Sequence, residues 1–304
     1  MKKCGLIAGI TMLAVLTACT QPNTVTETST EKTTKAAETE SETSESQSGN
    51  DYDSQLKLIS EQYKNWNVFM LKWQEKPDEN VDDNGRFKVA ITDLNRNGRL
   101  ELICTSNLGT GLFSQTVVYE VNESYTNLNR LASPKRDDGV DKGGDFMDRP
   151  VLNCYKLNGV YYYAVDDYTP SGASVIEESL YAYSFDGGIN AERIGGYTLK
   201  IEDFDYDSMK AKSVLVKFSD ANKGYLDDAE ALDKLIEDYW KGYEKQPCVS
   251  IKWVDFPQEA DCYEALKQSY EGYNENSSDT CDLLPNYKSF HGDTPEYKVM
   301  QRSK

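Results

Sequence analysis

The chain has 304 residues, with 33 Lys+Arg against 51 Asp+Glu for a net charge of −18, and a single histidine. That surplus of negative charge argues against nucleic acid or anionic lipid as direct partners, and one histidine excludes catalysis at a multi-histidine metal centre. With 21 tyrosines, a chain that is polar on average can still build a core.

Met1-Lys2-Lys3 is a positive start, residues 5–15 are apolar, and Leu16-Thr17-Ala18-Cys19 follows. This is the shape of a secretory signal, with an apolar run too short to span a bilayer comfortably. Leu16 to Cys19 resembles a bacterial lipobox. The resemblance implies cleavage before Cys19, whose thiol and new amino group would carry lipid, palmitate included. The mature protein would then be anchored to the outer face of a bacterial cell membrane. The alternatives are an ordinary signal peptide or a short membrane helix. Loss of Lys2 and Lys3 takes the charge from −18 to −20.

Residues 19–50 are Thr, Ser and Glu with almost nothing apolar beyond Val25, Ala36 and Ala37. Such a segment cannot bury enough surface to offset its ordering entropy, so a disordered tether is predicted. A coil of this length spans roughly 30 Å. The next 51–273 read as one α+β domain, with a division near 145–150 left open. Residues 274–304 are polar and read as a loose tail.

A helix is predicted over 54–74, because Ile59, Tyr63, Trp66, Met70 and Trp73 fall on one face of a 3.6-residue period. A turn over 77–85 leads into Val89-Ala-Ile-Thr-Asp-Leu-Asn-Arg-Asn-Gly-Arg-Leu-Glu-Leu-Ile103. There Asp93, Asn95 and Asn97 alternate, Gly98 follows, and Glu101 closes the series. Side-chain oxygens at positions 1, 3 and 5, a carbonyl at 7 (Arg99), an acid at 9 and glycine at 6 suit a loop around calcium, which takes six to eight oxygens. The flanking apolar residues make it a hairpin loop. The pattern is similar to the calcium loops of FG-GAP and VCBS-type repeats, and more loosely of EF-hands, with Asn97 and Glu101 standing where those families usually have Asp. The resemblance implies one structural calcium, held by Asp93, Asn95, Asn97, Glu101 and the Arg99 carbonyl, and a further strand over 109–119. A bare Asx-rich turn is the alternative.

Strands are predicted over 125–131, 151–157, 160–166, 179–185, 194–201 and 212–218. Asn158-Gly159 is the clearest hairpin signal and Asp186-Gly187-Gly188 a further turn. Asp166 and Asp167 would end a strand at a sheet edge. Asp203, Asp205 and Asp207 alternate like an ion loop but lack its glycine, which favours a solvated turn. Asp227 and Glu230 resemble a capping box, starting an amphipathic helix through Leu232, Leu235, Ile236, Tyr239, Trp240 and Tyr243 that ends before Pro247. A strand over 249–254 and a helix over 258–270 follow. Five cysteines remain outside the leader and anchor: Cys104, Cys154, Cys248, Cys262 and Cys281. A bridge among the last three and buried free thiols are both open.

The fold class expected is α+β: a twisted antiparallel sheet with helices at both chain ends, behind a disordered tether. No catalytic residue is assigned, since His291 lies in the polar tail, away from any triad pattern. A surface binding or adhesion module for a glycan or protein is the leading expectation. A carboxylate-dependent hydrolase acting on polysaccharide and an envelope assembly protein are the alternatives.

Overall fold

The computed structural model describes residues 51–66, 87–108, 113–132, 149–171, 174–205, 210–284 and 296–299. Helix α1 (Tyr52–Glu61) starts at Asp51, whose carboxylate accepts the Ser54 N–H at 3.0 Å and the Ser54 hydroxyl at 2.7 Å. It ends earlier than its periodicity suggests. A 3₁₀ turn, Tyr63–Asn65, follows, and the Trp66 indole N–H returns to the Ile59 carbonyl at 3.0 Å, satisfying one end-of-helix acceptor. Met70 and Trp73 lie outside the described residues.

Strands β1 (Phe87–Thr92), β2 (Glu101–Leu108), β3 (Phe113–Val121), β4 (Leu128–Arg130) and, from far along the chain, β12 (Val254–Asp255) form an antiparallel sheet in the order β12-β1-β2-β3-β4. The second sheet comprises β5 (Val151–Leu157), β6 (Val160–Ser171), β7 (Val175–Ser184), β8 (Asn190–Asp205), β9 (Lys210–Asp220), β10 (Tyr225–Leu226), β11 (Glu244–Ser250) and β13 (Asn274–Ser277). Its order is β10-β9-β8-β7-β6-β5-β11-β13, and β14 (Glu296–Val299) pairs in parallel with β9. Helices α2 (Ala229–Trp240) and α3 (Cys262–Glu271) complete the described elements.

The fold is largely antiparallel β with a few helices, and it has two sheets where the sequence suggested one. Alternate residues of each strand face opposite sides. Val89, Ile91, Leu102 and Cys104 therefore pack on one side against Leu56 and Ile59 of α1 and Cys262 and Leu266 of α3. Ala90, Ile103 and Val118 face the other way, onto Cys154, Tyr163, Val165 and Tyr183 of the large sheet. The far face of the large sheet, with Ala182, Tyr197 and Phe218, takes Leu232 and Trp240 of α2. The layers run helix, small sheet, large sheet, helix. The middle cluster joins residues from both sides of 145–150.

Several expectations need correction. The strand thought to end at Asp166 runs on to Ser171, and buried Asp166 pairs with Arg149 at 3.0 Å. The cap of α2 is Asp228, not Asp227, accepting the Ala231 N–H at 2.9 Å. Pro247 lies inside β11, where an irregularity between Gln246 and Val249 removes the need for its missing N–H. Residues after 273 are not uniformly loose, since β13 pairs with β11 and Leu284 is buried. The hairpin at Asn158-Gly159 is as expected, with φ of 51° and 88° matching a two-residue primed turn.

Gly196 in β8 is a steric requirement: a Cβ there would run into the Glu178 carbonyl oxygen and the Ser179 Cα on β7. Gly196→Ala should lower stability by about 1–3 kcal/mol in urea unfolding. An unchanged midpoint would contradict the close β7–β8 approach.

Candidate functional site: the loop between β1 and β2

β1 and β2 pair in register to their last residues, Thr92 opposite Glu101, so residues 93–100 form the connecting loop. Arg96 and Gly98 take positive φ, 55° and 80°, which is where the reversal needs a glycine. Asp93 shapes the bend: its Oδ1 accepts the Asn97 N–H and its Oδ2 the Gly98 N–H, both at 3.0 Å. The Asn95 Oδ1 accepts from Asn97 N at 3.2 Å, and the Asn97 Oδ1 from Arg99 N at 2.8 Å.

Glu101 is fully buried and turned inward. Its Oε2 accepts the Thr92 hydroxyl at 2.9 Å and the Leu94 N–H at 2.7 Å, and its Oε1 accepts the Asn95 N–H at 3.4 Å. One carboxylate thus replaces the main-chain partners that the buried Leu94 N–H and the part-buried Asn95 N–H lack. Sequence reasoning missed Glu120, which lies directly across the β2–β3 ladder from Glu101. It accepts the Asn95 amide at 2.6 Å, the Asn97 amide at 2.8 Å and the Arg99 guanidinium at 2.8 Å. Only the strand register could have revealed it.

Every layer holds this loop except the α2 side. Gln55 of α1, itself buried, donates to the Gly98 carbonyl at 3.0 Å and accepts the Leu100 N–H at 2.8 Å. From the large sheet, the Tyr163 hydroxyl donates to the Leu94 carbonyl. The Tyr273 hydroxyl donates to the Asp93 carbonyl at 3.0 Å, and Arg96 pairs with Glu275 and stacks on Tyr161 at 4.2 Å.

Three buried carboxylates therefore meet here: Asp93 at 4% exposure, Glu101 at 0% and Glu120 at 8%. Arg99 pairs with Glu120, and Arg96 with Glu275. Asp93 and Glu101 thus rest on hydrogen bonds to N–H and hydroxyl groups. Burial pushes the Asp93 carboxyl up to about 6 against the pull of the Gly98 and Asn97 N–H groups. Burial, and then the charge of Asp93, pushes Glu101 up to about 8.

Do these residues fit calcium? A carbonyl or carboxylate oxygen has two lone pairs, and the oxygens of Asp93, Asn95 and Asn97 each spend one on an N–H. An all-oxygen set with one lone pair left per atom suits a hard cation. Glu101 fits less well, because its Oε2 already carries two bonds; only Oε1 has capacity to spare. Among the described residues no three His, Cys, Asp or Glu side chains group at ligating distance, so the ion would rely on amide and main-chain oxygens.

Asp93 also borders a cleft of about 250 Å³ with Tyr52, Tyr270, Tyr273 and Glu275. A second depression, of about 420 Å³, is lined by the start of β6, the end of β7, the start of β8 and Tyr239 of α2. Tyr162 and Tyr239 line it together with Asp186, Asn190 and Glu192, and Tyr239 donates to Glu192 at 2.9 Å. Asp203 and Asp205 fall in β8, paired with Ser213 and Lys210, and form no loop there. Cys19, Asp207 and His291 lie outside the described residues. No protein family, curated protein or solved structure matches the chain.

Two predictions follow from the loop. Gln55→Ala strands the buried Leu100 N–H and frees the part-buried Gly98 carbonyl, and should cost about 1–3 kcal/mol; a smaller effect on chemical unfolding would mean that the α1 clamp is dispensable. Both carboxyl groups titrate above the unfolded value of about 4, so the folded state holds more protons than the unfolded state between about pH 4 and 8. Stability supplied at low pH is then lost as pH rises through 6 and 8. Melting in chelator should show Tm falling from pH 5 to 8, with the upper part of the fall removed in Glu101→Gln. A Tm that rises over this range contradicts the assignment.

Proposed function

We propose that the protein is a lipid-anchored surface protein whose folded part is a non-catalytic binding module with one structural calcium in the loop from Asp93 to Glu101. The observation that carries the calcium is the excess of buried carboxylate over positive charge around that loop. When bound, the ion supplies the charge that Asp93 and Glu101 lack and fixes the bend; it takes no part in a reaction. Asp93, Asn95, Asn97 and the Arg99 carbonyl hold it, with Glu101 or Glu120 completing the set. Calcium is plentiful outside cells, so weak binding suffices there. The lipobox-like Leu16 to Cys19 supports the anchor. The depression between Tyr162 and Tyr239, rimmed by Asp186 and Glu192, supports a binding role toward a glycan or protein.

Calcium should raise the Tm of the protein over that in chelator, more at pH 8 than at pH 5, and leave Asp93→Ala unmoved. A shift of equal size in Asp93→Ala would place the ion elsewhere. Metabolic labelling with a radioactive fatty acid should mark the wild type and not Cys19→Ala; label retained in the variant sinks the anchor. A glycan array then separates glycan capture from protein capture.

One observation favours a second reading, a carboxylate-dependent hydrolase. Asp93, with its raised pKa, and Glu275 share one cleft. The hydrogen bonds from Asn97 and Gly98 to Asp93 weigh against it, since they commit that carboxylate to the loop. Polysaccharide turnover that disappears in Glu275→Gln would reverse this preference. For an assembly protein, a broad apolar surface would be the mark; among the described residues the exposed large hydrophobic is Tyr52.

A further inference from the structure

The five cysteines of the described chain divide by position. Cys104 and Cys262 are buried between the small sheet and its helices, and Cys154 is buried between the two sheets. Cys248 and Cys281 are only partly covered, and both lie on the other face of the large sheet. The strand pattern requires this. Leu152 and Cys154 of β5 point into the inter-sheet cluster, so Asn153 between them points outward. Val249 and Ile251 point inward from the β11 side, so Cys248 points outward beside Asn153.

After β13 the chain crosses that outer face. Asp279 accepts from the Ser250 and Ser277 hydroxyls at 3.1 and 3.0 Å, and the Cys281 carbonyl accepts the Asn153 amide at 2.8 Å. Leu284 is then buried against the α2 side of the sheet. Since β13 lies beyond β11 and Asn153 sits on β5, this segment passes over β11, the strand that carries Cys248. The Cys248 thiol meets the other end of the same Asn153 side chain, 3.6 Å from Oδ1. One amide thus touches the Cys248 thiol and the Cys281 main chain, while the Cys281 thiol faces the Asp282 carbonyl at 3.8 Å and reaches Cys248 by rotating about its Cα–Cβ bond.

We propose that Cys248 and Cys281 are a disulfide pair that closes on oxidation and ties the crossing segment, 278–284, to β11. This goes beyond the binding reading above and needs from it only an oxidising compartment. The oxidant is a small disulfide such as oxidised glutathione. The Cys248 thiolate attacks one of its sulfurs and expels a glutathione thiolate. Cys281 then gives its proton to solvent and attacks the Cys248 Sγ, expelling the second. Two protein thiols are oxidised and one glutathione disulfide is reduced, with Asn153 moving aside. Burial pushes the Cys281 thiol up, so closure is faster at alkaline pH.

The test is disulfide mapping by mass spectrometry on an unreduced digest of the full chain after incubation with oxidised glutathione. The expected product links the peptides of Cys248 and Cys281, with Cys104, Cys154 and Cys262 still alkylatable after unfolding. Tm should rise by about 5 °C or more over the reduced protein. Cys248→Ser and Cys281→Ser should each lose the link and carry glutathione on the remaining cysteine. The pairing is overturned if both cysteines carry glutathione unlinked, if both stay free, or if either links elsewhere. Should a serine variant fail to fold, the wild-type map alone decides. The same link is expected in Cys19→Ala and in chelator, so failure of the anchor or of calcium binding remains distinguishable from failure of this pair.

Discussion

Two buried carboxylates bonded to the N–H groups of one eight-residue bend are what this architecture depends on. A bend seated against the interior at both of its ends has main-chain groups, the Leu94 N–H above all, that water cannot reach, and each unpaired one is costly. Asp93 and Glu101 satisfy those groups from inside the loop, Asp93 at Asn97 and Gly98 and Glu101 at Leu94 and Asn95. The solution creates a second problem, because two negative charges then sit close together away from solvent. A bound proton or a bound cation relieves it. In the reading proposed above, calcium supplies that relief and also fixes the geometry.

The bend matters because of where it sits. Gln55 couples it to α1, Glu120 to the neighbouring strand of its own sheet, and Tyr163 to the large sheet. Helix, small sheet and large sheet are therefore aligned through one point. A change in the loop's charge state reaches all three layers, whereas the outer helix α2 is held separately by the aromatic packing of Tyr155 on Trp240 at 3.9 Å.

The parts of this arrangement that are local in sequence are legible there. The primed turn at Asn158-Gly159, the alternating oxygens from Asp93 to Asn97 and the strands of the central meander all follow from neighbouring residues. What depends on pairing between distant segments is not. Glu120 belongs to the site only because β3 pairs with β2 in one register. The division into two sheets is hidden because β1 and β2 are apolar on both faces, which reads as one buried strand pair and not as a layer with two neighbours. Trp66 cuts α1 short by turning its indole back on Ile59, a contact that a helical period cannot announce. The Asn153 bridge between Cys248 and Cys281 requires a chain crossing that no spacing encodes.

Calcium titration by calorimetry at pH 7, in two buffers of different protonation enthalpy, tests the central claim most directly. The account predicts one ion per chain and a net release of protons, chiefly from Glu101, which is still mostly protonated at pH 7 while Asp93 is mostly ionised, with both signals lost in Asp93→Ala. Binding without proton release, or no binding at millimolar calcium, would contradict it.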